Sequence, residues 1–172
     1  MMKDYSRIKL VILDVDGTLT DGSILYDAQG GEIKRFNAKD GLGIKMAIEA
    51  GLQLAILTGR QSPILHRRVK ELGIHHLREN VQIKYPVLMQ MIAELGLTAD
   101  EVGYIGDDLN DLQCMQAVGL SACPADAAQD IRNACDYVAA AHGGDGAVRE
   151  VLERLLRAQG KWDAAVKRAY FA

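Results

Sequence analysis

Ile8-Lys9-Leu10-Val11-Ile12-Leu13-Asp14-Val15-Asp16-Gly17-Thr18-Leu19-Thr20-Asp21-Gly22 decides how this chain is read. Its first six residues form an apolar run, short and rich in branched side chains, which is the pattern of a strand buried on both faces. Such a strand has no need of carboxylates, yet this one delivers Asp14 and Asp16 to its carboxyl end. Residues two apart in an extended chain point the same way, but Gly17 opens a turn, so the two acids are expected to diverge and to take different roles. Asp14, ionised near neutral pH, can attack phosphorus without a base. Asp16, one step further out, can carry a proton to a leaving oxygen.

Two later strand ends repeat this logic. Leu52-Gln53-Leu54-Ala55-Ile56-Leu57 reads as a second buried strand closed by Thr58-Gly59-Arg60, after which Ser62 is expected to cap a helix opened by Pro63. Glu101-Val102-Gly103-Tyr104-Ile105 reads as a third, running into Gly106-Asp107-Asp108-Leu109-Asn110-Asp111. Those aspartates are hard oxygen donors of the kind magnesium takes. Asp107, nearest the strand end, is the expected direct ligand, Asp111 a brace for the loop, and one of the three a helix cap. Lys84 stands at the start of a helix whose first turn holds Pro86. A cation is unfavourable at that end of a helix dipole, and an anion held there would reverse the sign.

Between these ends lie helical patterns: from Leu42 to near Gly51 with Asn37-Ala38-Lys39-Asp40-Gly41 before it, through Leu65 to Gly73, from Ala125 to Ala134, and along Val148 to Leu156. Short strands are expected at Ile74–Leu77, Gly119–Cys123 and Tyr137-Val138. Alternating strands and helices imply an α/β layer with a parallel sheet, whose ligands bind outside the carboxyl ends of the strands. Asp14, Thr58 and Asp107 all sit at such ends. Ser23–Tyr26 and Glu32–Phe36, around Asp27-Ala28-Gln29-Gly30-Gly31, read as a β-hairpin. Its Ile24, Leu25, Tyr26 and Phe36 need a packing partner, either the parent domain or a neighbouring subunit.

The 172 residues fit one domain, with the hairpin as a flap over about 20–36 and a tail over about 160–172. A net charge of -3 without a basic run argues against nucleic acid as a partner. Neither a secretory leader nor a bilayer-length apolar run is present, so no membrane role and a cytoplasmic location are expected. Cys114, Cys123 and Cys135 show no pairing pattern and read as reduced, packed thiols. His75 and His76 would face opposite ways on a strand and lack a third ligand. Gly143-Gly144 is a weak phosphate-loop signal.

Asp14-Val15-Asp16-Gly17-Thr18, Thr58-Gly59-Arg60, Lys84 and Gly106-Asp107-Asp108-x-x-Asp111 occur in the order seen in the haloacid dehalogenase superfamily, which the chain resembles. That resemblance implies a Rossmannoid three-layer α/β sandwich and an aspartyl-phosphate mechanism. In it Asp14 is the nucleophile and Asp16 the general acid and base, Thr58 and Lys84 bind phosphate, and Mg2+ is held by Asp14, Asp107 and the backbone of Asp16, with Asp108 and Asp111 in support. The hairpin in place of a cap, Phe36-Asn37-x-x-Asp40-Gly41, Leu57-Thr58-Gly59-Arg60, Gly143-Gly144-x-Gly146-Ala147-Val148-Arg149-Glu150 and Ala158-Gln159-Gly160-Lys161 are similar to the capless 3-deoxy-D-manno-octulosonate 8-phosphate (KDO 8-phosphate) phosphatase family. This likeness implies a place in lipopolysaccharide precursor synthesis, a homotetramer with hairpins and tails reaching neighbouring sites, and a sugar-acid phosphate held by Asp16, Asn37, Ala38, Lys39, Asp40, Gly41, Lys45, Thr58, Gly59, Arg60, Arg68 and Lys84. Several relatives carry arginine where this chain has Lys39, Lys45 and Asp145, which removes a bidentate fork. Two other readings stand beside it: a phosphatase for a nine-carbon sialic-type acid phosphate, and a receiver-like domain whose phosphoaspartate persists.

Overall fold

Leu10–Leu13 (β1) is flanked on both sides by parallel partners, Gln53–Leu57 (β4) and Val102–Ile105 (β6). His76–Arg78 (β5) extends the sheet beyond β4; Leu120–Cys123 (β7) and Tyr137–Val138 (β8) extend it beyond β6, giving the order β5-β4-β1-β6-β7-β8 with every pair parallel. The structure is a computed structural model and describes residues 5–170. All four residues of β1 are buried, as a strand covered on both faces requires.

Alternation along the strands separates two apolar layers. Val11, Leu13, Leu54, Ile56 and Ile105 face one side, where they meet Ala38–Glu49 (α1), Pro63–Leu72 (α2), Ala147–Ala158 (α6) and Trp162–Tyr170 (α7). Leu10, Ile12, Ala55, Leu57, Val102 and Tyr104 face the other, against Lys84–Glu94 (α3), Leu112–Ala117 (α4) and Gln129–Ala134 (α5). The result is a three-layer α/β/α sandwich, as expected from the alternating elements. Chain order reverses direction at β1, since β4 and β5 lie to one side and β6 to β8 to the other. That reversal opens a crevice at the carboxyl ends of β1, β4 and β6.

Several boundaries differ from the sequence pattern for local reasons. The first helix begins at Ala38 rather than Leu42 because the Asn37 side chain accepts the Lys39 amide and caps it. Ser62 occupies the cap position of α2 but makes no cap bond, because its hydroxyl donates to Glu32 Oε2 at 2.5 Å. The strand expected at Ile74–Leu77 forms at His76–Arg78, because Gly73 in the left-handed region and Ile74 N–H, bonded to Val69 O, still belong to the end of α2. The helix expected from Ala125 is confined to Gln129–Ala134, because Ala125 N–H goes to Ala141 O and Ala128 N–H to Asp107 O.

Leu25–Tyr26 (β2) and Glu32–Ile33 (β3) form the hairpin. Its alternation is inverted relative to a core-facing strand: Lys34 is turned inward with a side chain 3% exposed, while Ile33 is 50% exposed. Phe36 packs on the main core, but Ile24, Leu25 and Tyr26 remain exposed. The tail forms α7, whose Trp162 and Ala165 are buried against this chain's own core. Arg149 and Arg157 flank the Trp162 ring at 4.9 Å each, and Arg168 donates to Glu49 O. Phe171 and Ala172, the last of the apolar tail, lie outside the described residues. Among the described residues no helix is long and apolar enough to cross a membrane.

Candidate active site

The turn after β1 is shaped by close approach. Gly17 has φ +98°, and a Cβ there would stand 2.0 Å from Asp107 Oδ2. Only glycine lets the β1 turn and the β6 loop touch. Thr18 then donates its hydroxyl to Asp107 Oδ1 at 3.1 Å, and Gly143 and Gly144 back the same turn so tightly that a Cβ on Gly143 would lie 1.9 Å from Gly17 O. Gly143-Gly144 is therefore a packing surface for the β1 turn rather than a phosphate loop of its own.

Carboxylate oxygens of Asp14, Asp107 and Asp111 lie within 4.8 Å of one another. Lys84, its side chain fully enclosed, donates to Asp14 Oδ1 at 2.5 Å and to Asp111 Oδ1 at 2.7 Å. Asp111 also accepts from Tyr104 Oη at 2.7 Å and from the amides of Asp107 and Asp108, so it is committed as a brace. Asp108 spends its carboxylate on capping Leu109 N–H. Asp14 and Asp107 are left as the two acids able to serve as direct ligands.

The electrostatics are those of crowded carboxylates. Burial, then repulsion from Asp111, pushes the Asp14 carboxyl up to about 6 despite Lys84. Burial, then Asp14 and Asp111, pushes Asp107 up to about 8. Burial works against the Lys84 charge, but Asp14 and Asp111 outweigh it and hold the ammonium above its usual range. Burial and Asp111 together raise the Tyr104 phenol well above its usual range, so it stays protonated and donates. Two adjacent hard-oxygen ligands whose protons are held more tightly than in an ordinary carboxylate fit a divalent cation that would displace those protons.

Asp16 has partners different from those of Asp14. It is held by Lys34 of the hairpin, a short ion pair, with Arg60 Nε 3.7 Å from its other oxygen. Glu32 joins the group through Lys34, Arg60 and Ser62. The pocket, about 320 Å³, is lined by Asp14, Asp16, Thr58, Gly59, Arg60 and residues 107–110. Arg60 Nε is buried there with no hydrogen-bond partner, a donor awaiting an acceptor.

The remaining substrate candidates lie outside this pocket. Asp40 is 1% exposed and its carboxylate accepts Gly146 and Arg149 amides, fixing the start of α6. Gly41 allows the close passage of Arg68, which donates to Asn37 O and lies over the Phe36 ring. Asn37 is committed to capping through Lys39 N–H, Ala38 and Lys45 are exposed, and Lys39 lines a separate cavity of about 1160 Å³ between α6, Tyr137 and Tyr5. Three residues of the site stand outside every sequence motif, Glu32, Lys34 and Tyr104, and Thr18 belongs to a motif that does not reveal its bond to Asp107. The polar-inward, apolar-outward order of Glu32-Ile33-Lys34 is the pattern that would have pointed to the hairpin's two.

Comparison with known proteins agrees with this geometry. Residues 77–152 match the haloacid dehalogenase-like hydrolase family. A 3-deoxy-D-manno-octulosonate 8-phosphate phosphatase, KdsC, of Haemophilus influenzae is 47% identical over 161 residues, covering 94% of this chain and 89% of that protein. The crystal structure of a probable YrbI family phosphatase of Pseudomonas syringae superposes with TM-score 0.95 at 44% identity, covering 98% of this chain and 96% of that one. The Moraxella catarrhalis 3-deoxy-D-manno-octulosonate 8-phosphate phosphatase, solved with magnesium, phosphate and KDO, superposes with TM-score 0.94 at 40% identity over 96% and 95% of the two chains. A buried acid cluster at the carboxyl ends of β1 and β6, a lysine bridging it, and likeness along nearly the whole chain converge: this chain belongs to the 3-deoxy-D-manno-octulosonate 8-phosphate phosphatase family of haloacid dehalogenase-like hydrolases.

Proposed function

We propose that this chain is a Mg2+-dependent phosphomonoesterase that hydrolyses KDO 8-phosphate to KDO and phosphate through a phosphoryl group carried on Asp14. The observation that carries the reading is the enclosure of Lys84 between Asp14 and Asp111, beside Asp107. Asp14, Asp107 and the Asp16 main chain would hold the ion, which when bound neutralises charge on the phosphoryl group. A carboxylate and one phosphate charge about 4 Å apart repel by roughly 4 kcal/mol at an effective dielectric near 20, so nucleophile and substrate need a cation between them.

The chain's own residues supply the rest. Lys84 and Thr58 hold phosphoryl oxygens while Asp14 attacks phosphorus. Asp16 delivers a proton to the departing alkoxide, then takes one from the water that cleaves the acyl phosphate. Its partner Lys34 keeps that carboxylate aimed into the pocket between turnovers. Arg60 Nε, lacking an acceptor, is placed to receive the sugar acid. A persistent phosphoaspartate, as in a receiver domain, is disfavoured by a second acid in the same pocket.

We infer the finer points from resemblance. The chain acts as one domain and assembles as a homotetramer, for which the exposed Ile24, Leu25, Tyr26 and Ile33 offer an apolar contact. Asn37, Ala38, Lys39, Lys45 and Arg68, which do not line this chain's own pocket, would then act at subunit boundaries. The three thiols without disulfides fit the reducing cytoplasm. The test is phosphate release from KDO 8-phosphate and from nine-carbon sialic-type acid 9-phosphates, with Mg2+ and with chelator. Release from KDO 8-phosphate that is faster by at least tenfold and abolished by chelator is expected. Preference for the nine-carbon acids, or turnover unaffected by chelator, would overturn the reading.

A further inference from the structure

Cys123 ends β7 and Cys135 follows α5, and their sulfurs lie 3.4 Å apart. That separation is inside ordinary sulfur–sulfur contact and needs a shift of little more than 1 Å to reach a bonded length near 2.05 Å. The two thiols are unequal. Cys123 is fully buried, whereas Cys135 is partly open to solvent. The Cys123 thiol is placed to donate to the Cys135 sulfur, which lowers the Cys135 thiol below its usual range and, with burial, raises that of Cys123. When protonated, Cys135 can instead turn its S–H to Tyr137 O at 3.4 Å.

A reachable thiol of lowered pKa beside a buried second thiol is the arrangement of an oxidation-sensitive cysteine with its resolving partner. The phosphatase chemistry uses neither sulfur. We propose that Cys123 and Cys135 form a reversible disulfide in response to hydrogen peroxide, an oxidation site outside the phosphatase pocket.

In the first step the Cys135 thiolate attacks one peroxide oxygen: an S–O bond forms, the O–O bond breaks, and hydroxide leaves to become water. In the second, the Cys123 sulfur, giving up its proton, attacks the sulfenic sulfur; the S–S bond forms and the S–O bond breaks, releasing a second water. Two thiols are oxidised and one hydrogen peroxide is reduced. The bond closes the segment from Pro124 to Ala134, which donates Ala128 N–H to Asp107 O and accepts Gly143 N–H on Asp126. It thereby constrains a segment hydrogen-bonded to the Asp107 main chain and to Gly143, without touching the acid side chains of the pocket.

The test is peptide mapping of the full chain without reductant after graded hydrogen peroxide. A single cross-link between the Cys123 and Cys135 peptides, reversed by dithiothreitol, is expected while Cys114 stays reduced. In Cys123→Ser, dimedone should label Cys135 at least tenfold more than in the parent, because the resolving sulfur is gone. In Cys135→Ser, Cys123 should remain a thiol. Oxidation of Cys135 to sulfinic or sulfonic acid in the parent without a cross-link, or equal dimedone labelling of parent and Cys123→Ser, would overturn the proposal, as would a cross-link that instead involves Cys114.

Discussion

Replacing Lys84 by methionine tests the electrostatics of the site most severely. The ammonium is enclosed and makes two short charged hydrogen bonds, to Asp14 and Asp111, so its loss strands two buried carboxylates. Removing one partner of such a buried pair costs about 3–5 kcal/mol. Against a total stability of roughly 5–15 kcal/mol this is a large fraction, and at about 2–4 °C per kcal/mol it lowers the melting midpoint by about 6–20 °C. The deficit should grow with pH. Asp14 is already pushed up to about 6 by burial and Asp111, and without Lys84 it rises further. A carboxyl raised in the folded state penalises folding as pH climbs past its unfolded value, so the loss is smallest in acid and largest above neutrality.

Magnesium should return part of the loss, because a ligand at a hundred times its dissociation constant contributes about 2.7 kcal/mol. Thermal melts of parent and Lys84→Met at three pH values, with Mg2+ and with chelator, read all of this, and a Lys84→Met/Asp111→Asn pair supplies the coupling. The double variant should recover stability without recovering turnover. A Lys84→Met midpoint within about 2 °C of the parent in chelator at alkaline pH would refute the reasoning, given the size expected for a buried pair.

Lys34→Met should lower kcat by roughly tenfold, about 1.4 kcal/mol, and should lower the melting midpoint less than Lys84→Met does, since its partners Asp16 and Glu32 are 17% and 15% exposed rather than enclosed; steady-state kinetics beside a melt separates the two effects. Glu150 accepts from Tyr137 Oη and the Ala140 and Ala141 amides. Burial raises its carboxyl, but these bonds outweigh it and hold it below the usual 4.5. It therefore contributes stability above that value which is lost as pH falls through the folded-state one, and Glu150→Gln should cost about 1 kcal/mol at neutral pH and flatten the acid limb of a denaturant-midpoint profile. Gly143→Ala places a methyl 1.9 Å from Gly17 O, where only backbone can move, and should cost at least about 2 kcal/mol and much of the activity.

The central strands and the site's segments at Asp14, Thr58, Lys84 and Asp107 were all legible, three of them because their chemistry conflicts with their setting. Carboxylates at the end of an apolar strand, as at Asp14 and Asp107, and a lysine opening a helix, as at Lys84, are unfavourable unless an ion is held there. Helix starts were less legible where the deciding bond is remote: Ser62 carries the composition of a cap, yet its hydroxyl is drawn to Glu32 thirty positions earlier. Likewise Ala128 spends its amide on Asp107 and delays α5. The motif around Asn37–Gly41 named residues in the right neighbourhood without revealing their direction. Asp40 is turned into the start of α6, which no local pattern indicates. Lys34 escaped notice because a charged residue on a short exposed hairpin ordinarily faces solvent, and its inward turn depends on Asp16 eighteen residues away.

The central claim is that Asp14 carries the phosphoryl group while Asp16 moves the protons. Mixing Asp16→Asn with KDO 8-phosphate and Mg2+, quenching in acid and mapping the peptides tests it directly. The account predicts that the peptide holding Asp14 accumulates one phosphoryl group that hydroxylamine removes, with less than a tenth of the parent's steady turnover. An adduct on the Asp107 peptide, or unimpaired turnover with no adduct at all, would contradict it.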